Sequence, residues 1–267
     1  MPAHTRDSVP AMPGTTRPRR LLTAAALAAI VLPLAACAGG DDPDADAGSS
    51  DGANGADVVA AMTEAVADQD SVRLVLGTKQ SPDDITVDTR WGDDPTFRAL
   101  TGGDPAQQLD VRRIGSRVYL GGEIVGRQWT FLEVDDPRLA DPDSDFDAGP
   151  VPTLLAIDVP GDLAALGDAV SEVSDEGTEE IDGQDTEHYR LSVDSSEWFD
   201  LLDDRSMYRT MDLPDTVTMD LYVDDDSLPV RLAYEVPDQL EQSALVGFTE
   251  WGEDVDVAVP PRAEPLS

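Results

Sequence analysis

The sequence predicts an α+β fold: a strongly curved antiparallel sheet, a half-barrel, with short helices covering its concave apolar face. Three features predict it. After residue 70 the chain mostly alternates apolar and polar residues with a period of two, the pattern of strands dry on one side and wet on the other. Turn-forming residues separate these runs. Two stretches, 57–68 and 153–169, supply helical cover, and a long sheet of this kind must curl or be covered.

Each element has its own signal. Asp57 is placed to cap a helix whose face is Val58, Val59, Met62 and Val66. Val72, Leu74 and Leu76 then alternate with Arg73, Val75 and Gly77, Ile85 and Val87 alternate with Thr86 and Asp88, and Leu109 and Val111, Val118 and Leu120, and Trp129 and Phe131 follow. Gly115-Ser116 and Gly121-Gly122 mark turns. Asp141 to Pro152 reads as a loop. Thr153–Asp158 and Asp162–Ala169 read as two short helices separated by Pro160-Gly161, and their Leu154, Leu155, Leu163 and Leu166 must pack on something.

Strands resume at Val170 and Val173. Ile181-Asp182-Gly183-Gln184 is a turn, followed by a face of Tyr189, Leu191 and Val193. Ser196–Leu202 is a short helix. Val217, Met219, Leu221 and Val223 share a face opposite Thr218, Asp220 and Tyr222. Asp224 to Ser227 turns the chain into Leu228, Val230, Leu232, Tyr234 and Val236. Val246 and Phe248 continue the pattern, and Val255, Val257 and Val259 close it before Pro260-Pro261.

Residues 1–36 have the order of a secretory signal peptide: basic Arg17, Arg19 and Arg20, then uncharged apolar Leu21 to Leu34, then small residues. Pro33 and the short length argue against a spanning helix. Leu34-Ala35-Ala36-Cys37 matches the bacterial lipobox, and Cys37 is the chain's single cysteine. The expectation is cleavage between Ala36 and Cys37, a diacylglyceryl group on Cys37, and residence on the extracytoplasmic face of the cell membrane. Two acyl chains suffice for stable attachment where one does not. Arg19-Arg20 suggests a twin-arginine signal but Pro18 departs from it, so either export route stands. Residues 37–55, rich in Gly, Ser and Asp, read as a tether, about 23 Å in span as a flexible chain. The domain is expected over 56–262, with a tail at 263–267.

Composition excludes several functions. Among 267 residues, 18 Lys and Arg face 55 Asp and Glu, a net charge of −37. Without residues 1–36 the balance is 14 against 54, or −40, a domain that an anionic membrane would repel. No nucleic-acid footprint can be built from so few basic residues. Neither Asp42, Asp44 and Asp46 nor Asp141, Asp143 and Asp145 completes a calcium loop: Ala47 and Phe146 stand at the sixth positions, where glycine is required. No metal, cofactor or catalytic residue is expected. His188 is the only histidine after the cleavage point and alternates to the wet side, and no Gly-x-Ser-x-Gly elbow is present. Lys79 reads as a solvated lysine; Trp91, Trp129, Trp198 and Trp251 read as core or rim anchors.

Four segments carry a family resemblance: Val118-Tyr119-Leu120 with Trp129; Ile181 through Tyr189; Leu221-Tyr222-Val223-Asp224 running into Leu228-Pro229-Val230-Arg231; and Trp251 to Val255 ending at Pro260-Pro261. With the lipobox ahead of them, the chain resembles the LppX/LprG-type envelope lipoproteins of high-GC Gram-positive bacteria, similar in fold to the LolA/LolB lipoprotein carriers. The resemblance spans most of 56–262. It implies a half-barrel whose mouth is plugged or lined by helices, and an apolar cavity for acyl chains of lipids or lipoglycans. No ligand-binding motif runs through the family, so no functional residue transfers.

The residues themselves offer a candidate lining: Val72, Leu74, Leu76, Ile85, Val87, Val217, Met219, Leu221, Leu232 and Tyr234. The same ten would equally serve as packed core. Two functions follow. One is a lipid-anchored carrier or binder of an acyl-chain ligand. The other is a surface lipoprotein whose acidic domain engages an envelope protein or modulates a sensor, its charge favouring basic partners.

Overall fold

The structure is a computed structural model. The residues it describes run from 55 to 266, apart from 79–84, 103–106, 123–124, 126–127, 140–148, 205, 211–212 and 235–242. The signal segment, Cys37, the tether through residue 54, both aspartate-rich candidate loops and Lys79 lie outside the described residues.

The elements are α1 (Gly55–Ala67), β1 (Ser71–Gly77), β2 (Ile85–Arg90), β3 (Thr96–Thr101), β4 (Asp110–Ile114), β5 (Arg117–Gly121), β6 (Thr130–Glu133), α2 (Val151–Leu155), α3 (Val159–Ala169), β7 (Val170–Ile181), β8 (Gln184–Asp194), α4 (Ser195–Leu201), β9 (Thr216–Val223), β10 (Pro229–Tyr234), β11 (Ala244–Thr249) and β12 (Glu264–Pro265). Among the described residues the strands form one open sheet in the order β12-β6-β5-β4-β3-β2-β1-β11-β10-β9-β8-β7. All neighbours are antiparallel except β12 and β6. This is the α+β half-barrel the alternation predicts, with four short helices.

Register explains why one face is dry. Ile85, Leu76, Val246, Leu232, Leu221 and Tyr189 are successive cross-strand partners, a continuous apolar row over six strands. Tyr234, Met219 and Leu191 form a second row. A one-residue slip of any strand would turn its share of these rows to water. The opposite face carries ion pairs: Arg73 with Asp88 at 2.6 Å and with Glu250, and Arg98 and Arg112 on either side of Asp110 at 2.8 and 2.9 Å. Burial opposes ionisation of Asp110, but hydrogen bonds from Arg112 and Arg98 outweigh it and hold the carboxyl below the usual range.

The turns follow their chemistry. Asp182 (φ 54°) and Gly183 (φ 90°) take the left-handed pair of angles that a two-residue hairpin loop needs. Asp224 closes the β9–β10 turn by accepting from the backbone N–H groups of Asp226 and Leu228.

Several boundaries depart from expectation. The first helix begins at Gly55, so Asp57 sits in its first turn and acts on the helix dipole. Pro160-Gly161 does not separate two helices but lies within the first turn of α3, where a proline loses no helical hydrogen bond; Asp158 is the cap, accepting from the Gly161 N–H. The strand β3, with Phe97 and Ala99 inward, has no counterpart in the sequence reading. Val255, Val257 and Val259 belong to no strand, and Val259 is exposed. The last paired segment is Glu264–Pro265, beside β6 and tied by Arg138 Nη1 donating to the Leu266 carbonyl at 3.2 Å.

Candidate functional site

The helices bring their apolar faces to the dry side of the sheet. Val58, Val59, Met62 and Val66 of α1, Val151 and Leu154 of α2, and Val159, Leu163 and Leu166 of α3 are all buried in one core with the sheet. In α4, Asp194 caps the helix through the Ser196 and Glu197 N–H groups and Trp198 is 1% exposed.

Where β1, β11 and β10 pass beneath α3, packing leaves an apolar cavity of about 30 Å³. Its floor is Leu74, Leu76, Val246, Phe248 and Leu232; its roof is Ile157, Val159, Leu163 and Leu166; Trp198, Tyr208 and Asp162 complete it. Such a volume holds about two water molecules, against several hundred Å³ for a small-molecule pocket. On its far side α3 borders an open cleft of about 970 Å³, shared with α1 and the start of β7 and lined by Ala60, Thr63, Ala164 and Gly167 among others. Helix α3 thus stands between the apolar cavity and the groove beside α1. It meets α1 closely at one point: a Cβ placed on Gly167 would lie 2.7 Å from Val59 Cγ1.

Of the ten residues expected to line a cavity, Leu74, Leu76 and Leu232 do so here. Val72, Val87, Val217, Met219, Leu221 and Tyr234 are buried in the core beside it, and Ile85 packs against that core half-buried. The roof was partly visible in the sequence, since Val159, Leu163 and Leu166 recur at helical spacing. Trp198, Tyr208 and Asp162 gave no periodic signal, because what joins them is tertiary packing.

Those three are the lining residues that carry polar side-chain atoms. The Trp198 indole N–H is buried and, among the described residues, has no hydrogen-bond partner. The ring lies 4.9 Å from that of Tyr208, centroid to centroid. Burial first, and the Asp158 charge second, push the Asp162 carboxyl up to about 7. The Tyr208 phenol is raised above its usual range by burial and then by Asp162. The Ser206 hydroxyl, also buried and without a partner of hydrogen-bond geometry among the described residues, is close enough to Asp162 to favour its ionised form.

His188 lies elsewhere, on the outer face. Its Nε2 is 3.0 Å from Asp220 Oδ1, its Nδ1 3.8 Å from Glu179 Oε2, and its ring stacks on Tyr222 at 4.3 Å. Among the described residues no group of three or more His, Cys, Asp or Glu is placed to hold a metal ion, and no helix is long and apolar enough to cross a membrane.

No family model matches the sequence, and no curated protein does. Solved structures do. The crystal structure of LprF from Mycobacterium bovis matches at a TM-score of 0.52 and 13% identity, over 77% of this chain and 96% of that one. The chain has the LprF fold. LppX from Mycobacterium tuberculosis follows at 0.49 and 14%, over 76% of this chain and 97% of the other. A LolA superfamily protein from Nitrosomonas europaea gives 0.29 and 12%, over 78% and 96%. The LprF fold is the architecture that the family resemblance implies, and at such identity the likeness concerns fold. In this chain the LprF fold has its apolar cavity between the central strands and α3.

Proposed function

We propose that the protein is an exported envelope lipoprotein that holds the acyl chains of a lipid or lipoglycan between its sheet and α3. The observation that carries this is the apolar cavity between the sheet and α3, with a wider cleft on the other side of that helix. The cavity as it stands holds no acyl chain, so binding lifts α3. Energetics favour that exchange. Exposing Val159, Leu163 and Leu166 costs about 1.5–3 kcal/mol each, roughly 5–9 kcal/mol together, while burying the methylenes of a sixteen-carbon chain returns about 12 kcal/mol. The helix slides into the groove beside α1, and the chain takes its place over Leu74, Leu76 and Leu232.

Native mass spectrometry of protein extracted gently from its own membranes tests this. The expected result is a bound species of several hundred daltons released on activation; a bare polypeptide mass in repeated preparations sinks the reading.

Anchoring belongs to the same proposal. Cleavage after Ala36 leaves a diacylglyceryl-modified Cys37 as the first residue, residues 38–55 as tether and 56–262 as the working domain. A Cys37→Ala protein is expected to leave the membrane fraction or to keep its signal peptide uncleaved. Wild-type fractionation with a processed N-terminus would overturn the anchor and leave ligand binding standing.

A second reading, an acidic domain that engages a basic envelope partner, is favoured by the small volume of the cavity and by the edge strand β7, where Glu172, Asp175, Glu176, Glu179 and Glu180 are exposed or half-exposed. A partner captured at low salt and released at high salt, from protein free of lipid, would support it over the first.

A further inference from the structure

The edge of the sheet at β7 and the cleft beside α1 form one surface. Among the described residues β7 is the last strand of the sheet, and no backbone hydrogen bond joins Glu172–Glu180 to any segment but β8. The start of the strand, Val170 to Val173, borders the cleft of about 970 Å³. Val170 and Val173 stand opposite the buried Val193 and Leu191, and Glu172 stands opposite Ser192 between them. The cleft therefore touches residues of both faces and follows the strand's edge, where N–H and C=O groups unused by β8 point outward. Register shifts between Val170 and Glu172, and between Asp175 and Gly177, leave Glu172–Asp175 as a regular stretch. Bulges end pairing, so this edge accepts a short strand and not a long one. Charge selects the occupant. Residues 170–187 hold eight Asp and Glu and no Lys or Arg. The cleft walls add the exposed Asp57, Glu64 and Asp168, and no basic residue lines them. A second copy fits poorly: antiparallel pairing of two β7 edges about Val173 and Ser174 sets Glu172 against Asp175 twice, and like charges facing across a strand pair repel. Residues 38–54 of the same chain fit no better, with five Asp and no basic residue.

We propose that the β7 edge over Val170–Asp175, with the cleft beside it, docks an extended basic segment of a partner protein, which adds to the sheet as a further strand and alternates basic with apolar residues. This rests on the second reading above, the acidic interaction domain, and gives it a mode of binding and a partner pattern. Main-chain hydrogen bonds to the edge supply affinity, and the alternating side chains supply specificity. The apolar side chains continue the inward row beside Val173, where Ala60 and Ala67 of α1 leave the cleft room. The basic ones lie on the other face beside Glu172, and Asp57, Glu64 and Asp168 steer the segment in.

The test titrates the intact exported protein, in detergent at low salt, with the labelled peptide Arg-Val-Lys-Val-Arg-Val and with the same peptide N-methylated along its backbone. The second keeps every charge and side chain but donates no main-chain hydrogen bond. Fluorescence anisotropy reads binding, and amide hydrogen exchange reads where it occurs. Wild type is expected to bind the plain peptide with slowed exchange over Val170–Asp175, and the methylated one at least about tenfold more weakly, the worth of two or more backbone hydrogen bonds. Asp168→Lys with Glu172→Lys, both exposed positions, should weaken the plain peptide at least about tenfold by reversing the local charge. If both peptides bind alike, or exchange slows elsewhere, the attraction is a matter of surface charge: this inference is overturned and the acidic-domain reading stands. Unchanged binding in the charge-reversed protein, or a dimer of the free protein joined through β7, overturns it equally. If neither peptide binds at low salt, the acidic-domain reading falls and this inference with it.

Discussion

Replacing Asp162 by Asn is expected to stabilise the protein at pH 8 and to change it little at pH 4. The Asp162 carboxyl is held at about 7 in the fold, whereas an unfolded chain restores it to its ordinary value near 3.8. Between those values the folded state binds more protons than the unfolded one, so stability falls as pH rises through the window. At pH 8 the folded protein carries the full penalty of an ionised, half-buried carboxylate beside Asp158. The ceiling is about 4 kcal/mol, since each tenfold change in proton affinity corresponds to about 1.4 kcal/mol. An amide of the same shape carries no such penalty. Urea unfolding of both proteins at pH 4 and pH 8 measures the difference, and a gain of about 2–4 kcal/mol confined to the higher pH is the expected outcome. At the melting temperature that gain corresponds to roughly 5–12 °C. Curves that stay parallel at both pH values would mean that Asp162 is solvated as an ordinary surface carboxylate. The comparison thus isolates Asp162 together with its coupling to Asp158 and Asp203.

That prediction depends on a contact no sequence pattern announces. Alternation fixed the strands that pair: the row from Ile85 to Tyr189 is assembled from residues each marked by a period of two, and the Asp182-Gly183 and Asp224–Ser227 turns set their register. Most of the sheet was therefore legible, β3 excepted, and so was the need for Leu163 and Leu166 to pack on something. Where local signals compete, the reading failed. Pro160-Gly161 looks like a break, yet a proline in a first helical turn is compatible with both. Val255, Val257 and Val259 alternate like a strand but find no described partner. The cavity was the least legible feature. Its size depends on how far α3 descends, which is set by the approach of Gly167 to Val59 and by Trp198 beneath, each a pairing of residues distant in the chain. Seven of the ten residues expected to line it are core beside it for the same reason: an inward-facing residue is fixed by register, but whether anything sits on it is fixed by the layer above.

The approach at Gly167 also provides the sharpest test of how a ligand gains entry. A Cβ at 167 would lie 2.7 Å from Val59 Cγ1, so Cβ atoms at positions 59 and 167 stand no farther apart than about 4.2 Å, within the disulfide range of about 3.5–4.5 Å. A Val59→Cys, Gly167→Cys protein, with Cys37→Ser to remove the native thiol, is expected to oxidise to a bridge that pins α3 against α1. Closing a loop of roughly a hundred residues stabilises by up to about 4–5 kcal/mol, less any strain from crowding the helices. If α3 must move along α1 to admit an acyl chain, the oxidised protein should lose at least tenfold in dipalmitoylglycerol binding and recover it on reduction. The reversible loss separates a locked helix from a damaged fold, because both forms have the same sequence and the oxidised form is the more stable one. An oxidised protein that binds as the reduced one does would place the entry route away from the α1–α3 contact, at the far end of the roof beside α2, where Ile157 and Val159 begin it.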